Sequence, residues 1–517
     1  TAVVGFGASF AGITKNADGT YNCSSAPNDD AKNACLWGSK AYGDGGFYYA
    51  ENSDDIKNSI IKFVSDVTVG FTPSSLGSIS VPRDPLDQTK SMTEGFFPMM
   101  MPMEDSTFRT WAGNLKKYKI LGGTLKDSSN NAIYKVENNQ QIINSSAKDL
   151  WSNAAAGTDH SLINSGGAWN KIPVPSTALA AADSISNVDS ERKVYILDGS
   201  SLKKVTKTNL ATDTTGTDAL SGTYTINQRL ALLNYMGYQT TFPAAATQTT
   251  LTSTEINTLA VNPASPYRFL GGVVHSIPLM LTKEATVSGA NAAGTRDEYT
   301  VYGSMDGGLH IVNASTGKEQ SVFVPPEIIT NQYDTLAGKD SKGVGSLSGI
   351  AYGVDAPWVA DNTFKVQITK SGTATTTKYV ANKMNIYGGL RMGGKGLYGL
   401  DILSPASPKL LFQIKPTTSN EFQRMAQIWA KPTIAEIRVK GERKKVLIFG
   451  GGYDADVYEK PAATFTEPSS TYGNALYVVD AANGNLIWMS SSNGSGISET
   501  YKKTINSDIN YSVVGQP

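Results

Sequence analysis

Residues 301–323 read VYGSMDGGLHIVNASTGKEQSVF. Alternating apolar side chains stop at Gly303-Ser304-Met305-Asp306-Gly307-Gly308, resume over 309–312, stop again at Ala314-Ser315-Thr316-Gly317 and resume a third time. Apolar and β-branched residues at alternate positions suit half-buried strands, and the glycines supply the positive φ angles that tight hairpins need. The pattern predicts an antiparallel meander.

The unit recurs twice. Ile386-Tyr387-Gly388-Gly389 runs through Arg391-Met392-Gly393-Gly394-Lys395-Gly396 into Leu397-Tyr398-Gly399-Leu400-Asp401, and then to 409–414. The run 446–452 passes a longer insert into Leu476-Tyr477-Val478-Val479-Asp480, then Asn483-Gly484 and 486–489. The strands opening at Leu309, Leu397 and Leu476 stand 88 and then 79 residues apart. A further strand precedes each unit, marked by Pro278, Pro357 or Pro432; proline has no N–H for a ladder and belongs at a strand's first residues or on an edge. Four antiparallel strands per unit, repeated along the chain, predict β-propeller blades, because each such sheet buries its faces only against its neighbours. A β-sandwich is the other arrangement such strands allow. Pro517 follows Pro432 by 85 residues, so 510–517 read as the start of a fourth unit, with more blades expected after it.

The fold class is therefore mainly β, with propeller blades over 263–517. Before them, 68–262 read as a mixed, strand-rich connecting region, with strands near 116–120 and 193–197 and a helix around 228–236. The run Phe96-Phe97-Pro98-Met99-Met100-Met101-Pro102-Met103 is either an adaptable contact surface or a core strip packing this region on the propeller. Residues 1–67 begin with a short buried-type strand at 2–6. Gly45-Gly46-Phe47-Tyr48 follows, and a helix opens at Asn52-Ser53-Asp54-Asp55 with Ile56, Ile60, Phe63, Val64 and Val67 on one face. This small α/β part resembles the C-terminal end of a von Willebrand factor A domain, without the Asp-x-Ser-x-Ser metal motif. Thr1 is not an initiator, so a preceding part is expected.

Lys+Arg and Asp+Glu both number 45 in 517 residues, and no basic stripe is present, which argues against nucleic acid as a partner. No apolar run approaches the ~20 residues of a membrane span. Abundant small polar residues with 17% charge fit a secreted bacterial surface protein. Cys23 and Cys35 lie in a loop-like, polar stretch and are either a disulfide or two free thiols. His160, His275 and His310 are scattered, and no Cys or His pair has metal-ligand spacing.

Several segments together resemble the PilC/PilY-type proteins of bacterial type IV pili. They are His275-Ser276-Ile277-Pro278; Gly303-Ser304-Met305-Asp306-Gly307-Gly308-Leu309-His310; Gly388-Gly389-Leu390-Arg391-Met392-Gly393-Gly394-Lys395-Gly396; Lys431-Pro432 with Phe449-Gly450-Gly451-Gly452; and Lys148-Asp149-Leu150-Trp151 with Gly166-Gly167-Ala168. The resemblance implies a von Willebrand domain followed by a modified β-propeller. It implies a tip adhesin and biogenesis factor that promotes pilus extension against retraction and attaches to host cells. Its location would be extracellular, at the pilus tip or the bacterial outer-membrane surface, and its partners minor pilins and a host surface receptor. Some members bind calcium through an EF-hand-like loop. Here the nearest oxygen cluster is Asp454, Asp456 and Glu459, which are either cation ligands or solvated loop acids.

Gly-rich blades with Leu-Tyr-x-x-Asp also resemble quinoprotein dehydrogenases, but the adjacent cysteines of those enzymes are missing from the modules and no general base stands out. No enzymatic activity is expected. A passive protein-binding propeller is the remaining alternative.

Overall fold

The computed structural model describes the chain except residues 1, 18–19, 40, 44, 53, 58, 60–73, 76–78, 103–107, 138–139, 153–156, 176–190, 239, 243, 245–246, 262–267, 289–293, 341–348, 418–419, 460–471 and 494–496. It divides into two compact units, Thr1–Thr72 and Pro73–Pro517.

In the first unit, strand β1 (Val3–Phe6) and helix α1 (Asp29–Gly38) precede β2 (Phe47–Ala50), and β1 pairs in parallel with β2. The cysteine stretch is thus not a loop throughout. The Asn28 side chain accepts from the Ala31 N–H (2.8 Å), and Asp29 and Asp30 occupy the first turn at the positive end of the helix dipole. The apolar face is short, with Ala31 and Cys35 buried one turn apart, which is why periodicity alone did not reveal it. A disulfide joins Cys23 to Cys35; closing a loop of this size is worth about 3 kcal/mol in the chain-entropy account. Asn52 accepts from the N–H groups of Asp54 (2.9 Å) and Asp55 (3.0 Å) at the expected helix start. Ile60, Phe63, Val64 and Val67 lie outside the described residues.

In the second unit, β3 (Glu94–Met101) carries the methionine run and pairs antiparallel with β4 (Ala112–Leu121). Its side chains are core on both faces: Phe96 packs with Trp151, Tyr302 and Val312, while Phe97 and Met99 pack with Tyr118 and Ile133. Met103 lies outside the described residues. A hairpin of β5 (Val194–Asp198) and β6 (Ser201–Lys204) leads to α2 (Ile226–Tyr235), where Thr225 and Gln228 cap each other's backbone. Leu230, Leu232 and Leu233 of α2 share a core with Val301, Ile311 and Phe323, so the connecting region and the blades have one interior.

Three four-stranded meanders follow. The first comprises β7 (Leu279–Ser288), β8 (Arg296–Gly303), β9 (Leu309–Asn313) and β10 (Glu319–Val324). The second comprises β11 (Trp358–Ser371), β12 (Ala374–Gly389), β13 (Leu397–Asp401) and β14 (Lys409–Ile414). The third comprises β15 (Thr433–Val439), β16 (Glu442–Gly450), β17 (Ala475–Asp480) and β18 (Leu486–Ser491), with a short β19 (Lys503–Ile505) beside it.

The repeat holds to the residue. Pro278, Pro357 and Pro432 each stand immediately before a first strand. Leu309 and Leu397 open their third strands, Leu476 is the second residue of its own, and the three face Gly303, Gly389 and Gly450. A register shift then falls at Ile311/Val312, Gly399/Leu400 and Val478/Val479, two residues after the leucine each time. The glycines are required by the chain crossing over them. A Cβ would stand 2.1 Å from the Val354 carbonyl at Gly303, 2.7 Å from Ile428 Cβ at Gly389 and 2.2 Å from the Val513 carbonyl at Gly450. Residues 510–517 thus cross the third blade as the segment around Val354 crosses the first. They form no strand, and neither do the residues just ahead of the other prolines. The protein is mainly β, with propeller-type blades.

The first two blades are spliced: β7 pairs at Glu284–Ser288 with Thr376–Val380 of β12. The result is a ten-stranded sheet ordered β6-β5-β10-β9-β8-β7-β12-β13-β14, with β11 on β12, next to a five-stranded sheet of β15 to β19.

Candidate functional site

Of the motifs that carried the resemblance, Lys148-Asp149-Leu150-Trp151 with Gly166-Gly167 fastens the connecting region to the first blade. The Trp151 indole donates to the Ala314 carbonyl (3.0 Å), and Lys117 Nζ donates to the same oxygen (2.8 Å). The ring lies on the turn at Gly317, whose Cβ would be 2.6 Å from Trp151 Cγ. Asp149 accepts from the N–H groups of Trp151 (2.9 Å) and Gly167 (3.0 Å). Gly166 and Gly167 have φ of 63° and 60°, the left-handed region where glycine is at ease. Burial pushes the Asp149 carboxyl up against the pull of Lys116, and it lowers the buried Lys116 ammonium to about 8.

Beneath the Asp-Gly-Gly-Leu-His turn lies a closed set of charges. Asp306 Oδ1 accepts from Ser304 Oγ (2.7 Å), Tyr235 OH (2.9 Å) and the Gly308 N–H (3.0 Å). His310 reaches Ser304 Oγ with Nε2 (3.0 Å) and Glu319 with Nδ1 (2.7 Å). Arg192 forks onto Glu319 through Nε and Nη2, both at 2.9 Å, and stacks 4.2 Å over the Tyr235 ring. Burial alone would keep these groups neutral. The surrounding carboxylates nevertheless raise His310, while Arg192 and His310 lower Glu319 to about 2, and His310 and Arg192 hold Asp306 below the usual carboxylate range. A charged His310 donates from both ring nitrogens, which leaves the Ser304 hydroxyl hydrogen for Asp306. Ser304, His310 and Glu319 follow the order of a hydrolase triad, but Ser304 is 1% and His310 0% exposed, so no substrate reaches them. Two cations and two anions form a neutral clamp between Arg192 and Tyr235 on one side and the first blade on the other.

A second polar group reaches the surface. Asp355, just before Pro357, is buried and accepts from Arg391 Nη1 (2.6 Å); its two carboxylate oxygens lie 3.0 and 2.9 Å from His275 Nδ1. Arg391 sits in the Gly-Gly-Leu-x-x-Gly-Gly turn at φ 52°, and its guanidinium lies 4.2 Å from the Trp429 ring. Trp429 meets Tyr453 (4.3 Å), which stacks on Tyr458 (5.5 Å). A partly exposed row of Trp, Tyr and Arg results, held by a buried ion pair.

The three acids singled out for a cation border this row but do not converge. Asp456 pairs with Lys395 Nζ (2.9 Å), Glu459 accepts from Tyr453 OH (2.8 Å), and Asp454 is buried. No group of three potential metal ligands occurs among the described residues. From the sequence, Asp306 and Arg391 stand in turns and His310 in a strand, and nothing there gives Arg192, Glu319, Asp355 or Trp429 a role. The available signal was charge inside apolar strands, as at His310 within Leu309-His310-Ile311-Val312.

No family model matches the chain. It is 28% identical over 202 residues to the type IV pilus biogenesis factor PilY1 of Pseudomonas aeruginosa strain UCBPP-PA14, covering 36% of this chain and 15% of that protein. PilY1 of strain PAO1 is 29% identical over 166 residues, covering 32% and 12%. The PilC/PilY-type resemblance holds over about a third of the chain. A crystal structure of the P. aeruginosa PilY1 C-terminal domain is 23% identical, covers 39% of this chain and 31% of that one, and has a TM-score of 0.23; at that score it adds nothing to the fold derived from the blades. The matched stretch spans less than a sixth of the curated relatives' length. No helix among the described residues is long and apolar enough to cross a membrane.

Proposed function

We propose that the chain belongs to a type IV pilus-associated protein that acts by binding and not by catalysis, as a tip adhesin and biogenesis factor promoting pilus extension against retraction. The similarity to PilY1 carries this reading. The geometry supports it: the buried charges are closed to substrates, and the partly exposed Arg391, Trp429 and Tyr453 are of the residue types that dominate protein contacts. The blades face the pilus and minor pilins, the N-terminal unit belongs to the part that meets the host surface, and the protein acts outside the cell. Calcium, where it acts in relatives of this kind, would be sought at Asp454, Asp456 and Glu459.

The test is piliation of cells lacking this protein, with and without the retraction motor. Pili should be lost and should return when the motor is also removed. Normal piliation in the single deletion would sink the proposal, and so would dye reduction by the purified protein supplied with pyrroloquinoline quinone and an alcohol.

A further inference from the structure

The outer edges of the three blades differ. The last residues of β10 carry β5 in parallel, with Val194 on Val322, Tyr195 on Phe323 and Ile196 on Val324. The last residues of β18 carry β19 in parallel, with Lys503 on Met489, Thr504 on Ser490 and Ile505 on Ser491. Val322 and Met489 occupy the same place in their blades, facing His310 and Tyr477, the residues after Leu309 and Leu476. In the second blade that place is Gln413, facing Tyr398. Here the sheet ends: no strand among the described residues pairs with the outer side of β14. β6 lies against β14 without pairing to it, and Leu202 shares a core with Leu410, in the first half of the strand. The Val322 N–H points outward and donates to the Lys193 carbonyl (3.0 Å), so the register turns the Gln413 N–H outward as well. Lys409 and Lys415 are both exposed and neither is in an ion pair among the described residues; the Lys415 carbonyl accepts from Asn420 Nδ2 (2.8 Å), a side-chain bond that an added strand would replace.

We propose that the outer edge of β14 at 413–415 takes up a strand from a partner protein, running parallel to β14 and carrying acidic side chains beside its pairing residues. The two occupied sibling edges set direction and register, and the two lysines set the charge. Recognition is through the backbone, as when an extended peptide adds to a free sheet edge. This edge is defined by the internal repeat of the blades, whatever the protein does at a pilus.

The probe is a synthetic peptide, Val-Tyr-Ile flanked by glutamates, added to the full chain while amide exchange is followed by mass spectrometry; a lysine-flanked peptide is the control. The Gln413 amide should exchange fast in the free chain and at least about tenfold slower with the glutamate peptide, which should bind more tightly than the lysine one at low salt. Gln413→Pro removes the outward N–H and should abolish protection, while Gln413→Ala keeps it. Should the proline variant not fold, reversing both lysines to glutamate should reverse the peptide preference. Slow exchange at Gln413 in the free chain at every dilution would show the edge already covered. Protection rising with protein concentration alone would make a second copy the occupant. Either result, or no protection at about 1 mM peptide, the weak end of specific binding, overturns the proposal.

Discussion

The first and third blades share one register and fill it with opposite chemistry. The residue after the repeated leucine is His310 in the first blade, enclosed by Asp306, Glu319 and Arg192. In the third it is Tyr477, buried with its ring 5.4 Å from both Phe449 and Phe422. The second blade is intermediate: the Tyr398 hydroxyl donates to Glu327 and accepts from Gln413 Nε2 (2.8 Å). Register is therefore set by the glycine under the crossing chain and by the bulge, not by the side chain that fills the place. Charge appears where an outside segment has to be fastened, at Arg192 and Tyr235, and is dispensed with where aromatic packing suffices.

The contrast breaks most visibly at Arg192. Arg192→Met leaves Glu319 and Asp306 buried with one cation too few and should cost about 3–5 kcal/mol by urea denaturation, whereas Tyr477→Phe should cost no more than about 1.5 kcal/mol. Equal losses would dissolve the distinction between the blades. The pH dependence comes next. Glu319 titrates near 2 when folded, against 4.5 ordinarily, so its contribution is complete above 4.5 and is lost as pH falls toward 2. His310 is raised, so its contribution is complete below 6.5 and is lost as pH climbs through its folded value. Stability should fall on the acid side by a few kcal/mol, and Glu319→Gln should flatten that limb; an unchanged slope in the variant would reject the assignment.

What the blades share should respond alike. Gly303→Ala and Gly450→Ala each force a Cβ onto a backbone carbonyl and should each cost about 1–3 kcal/mol or more in thermal melts. A tolerated alanine at either position would mean that the crossing chain is not what fixes glycine there. The smallest effect is expected at the surface: Lys395→Ala removes the pair with Asp456, whose side chain is 77% exposed, and should change stability by less than about 1 kcal/mol.

The blades were legible because proline, glycine pairs and alternating strands are local signals, and the repeat multiplied them. The methionine run was legible as an apolar strip, and of the two readings it allowed the structure takes the core one at Phe96, Phe97 and Met99. The clamp was not: Arg192 and Glu319 are 127 residues apart, and nothing near either announces the other. The strand at β5 was legible, near 193–197, but its parallel pairing with β10 was not, and β19 escaped because three residues give too short a pattern to count. Helix α1 was hidden by polar residues that serve as its cap and first turn. The surface row was half visible, in Gly-Gly-Leu-Arg and at Pro357, but its chemistry depends on Arg391 turning onto Trp429, which no spacing states.

The pairing of β7 with β12 bears on how the molecule responds to tension. Hydrogen-bond ladders that bridge modules share an applied load. The first two blades lie in one continuous sheet and should yield together, while the third, in a separate sheet, should yield on its own. Pulled from its ends in a force spectrometer, the second unit should give one long extension for the spliced pair and a distinct shorter one for the third blade.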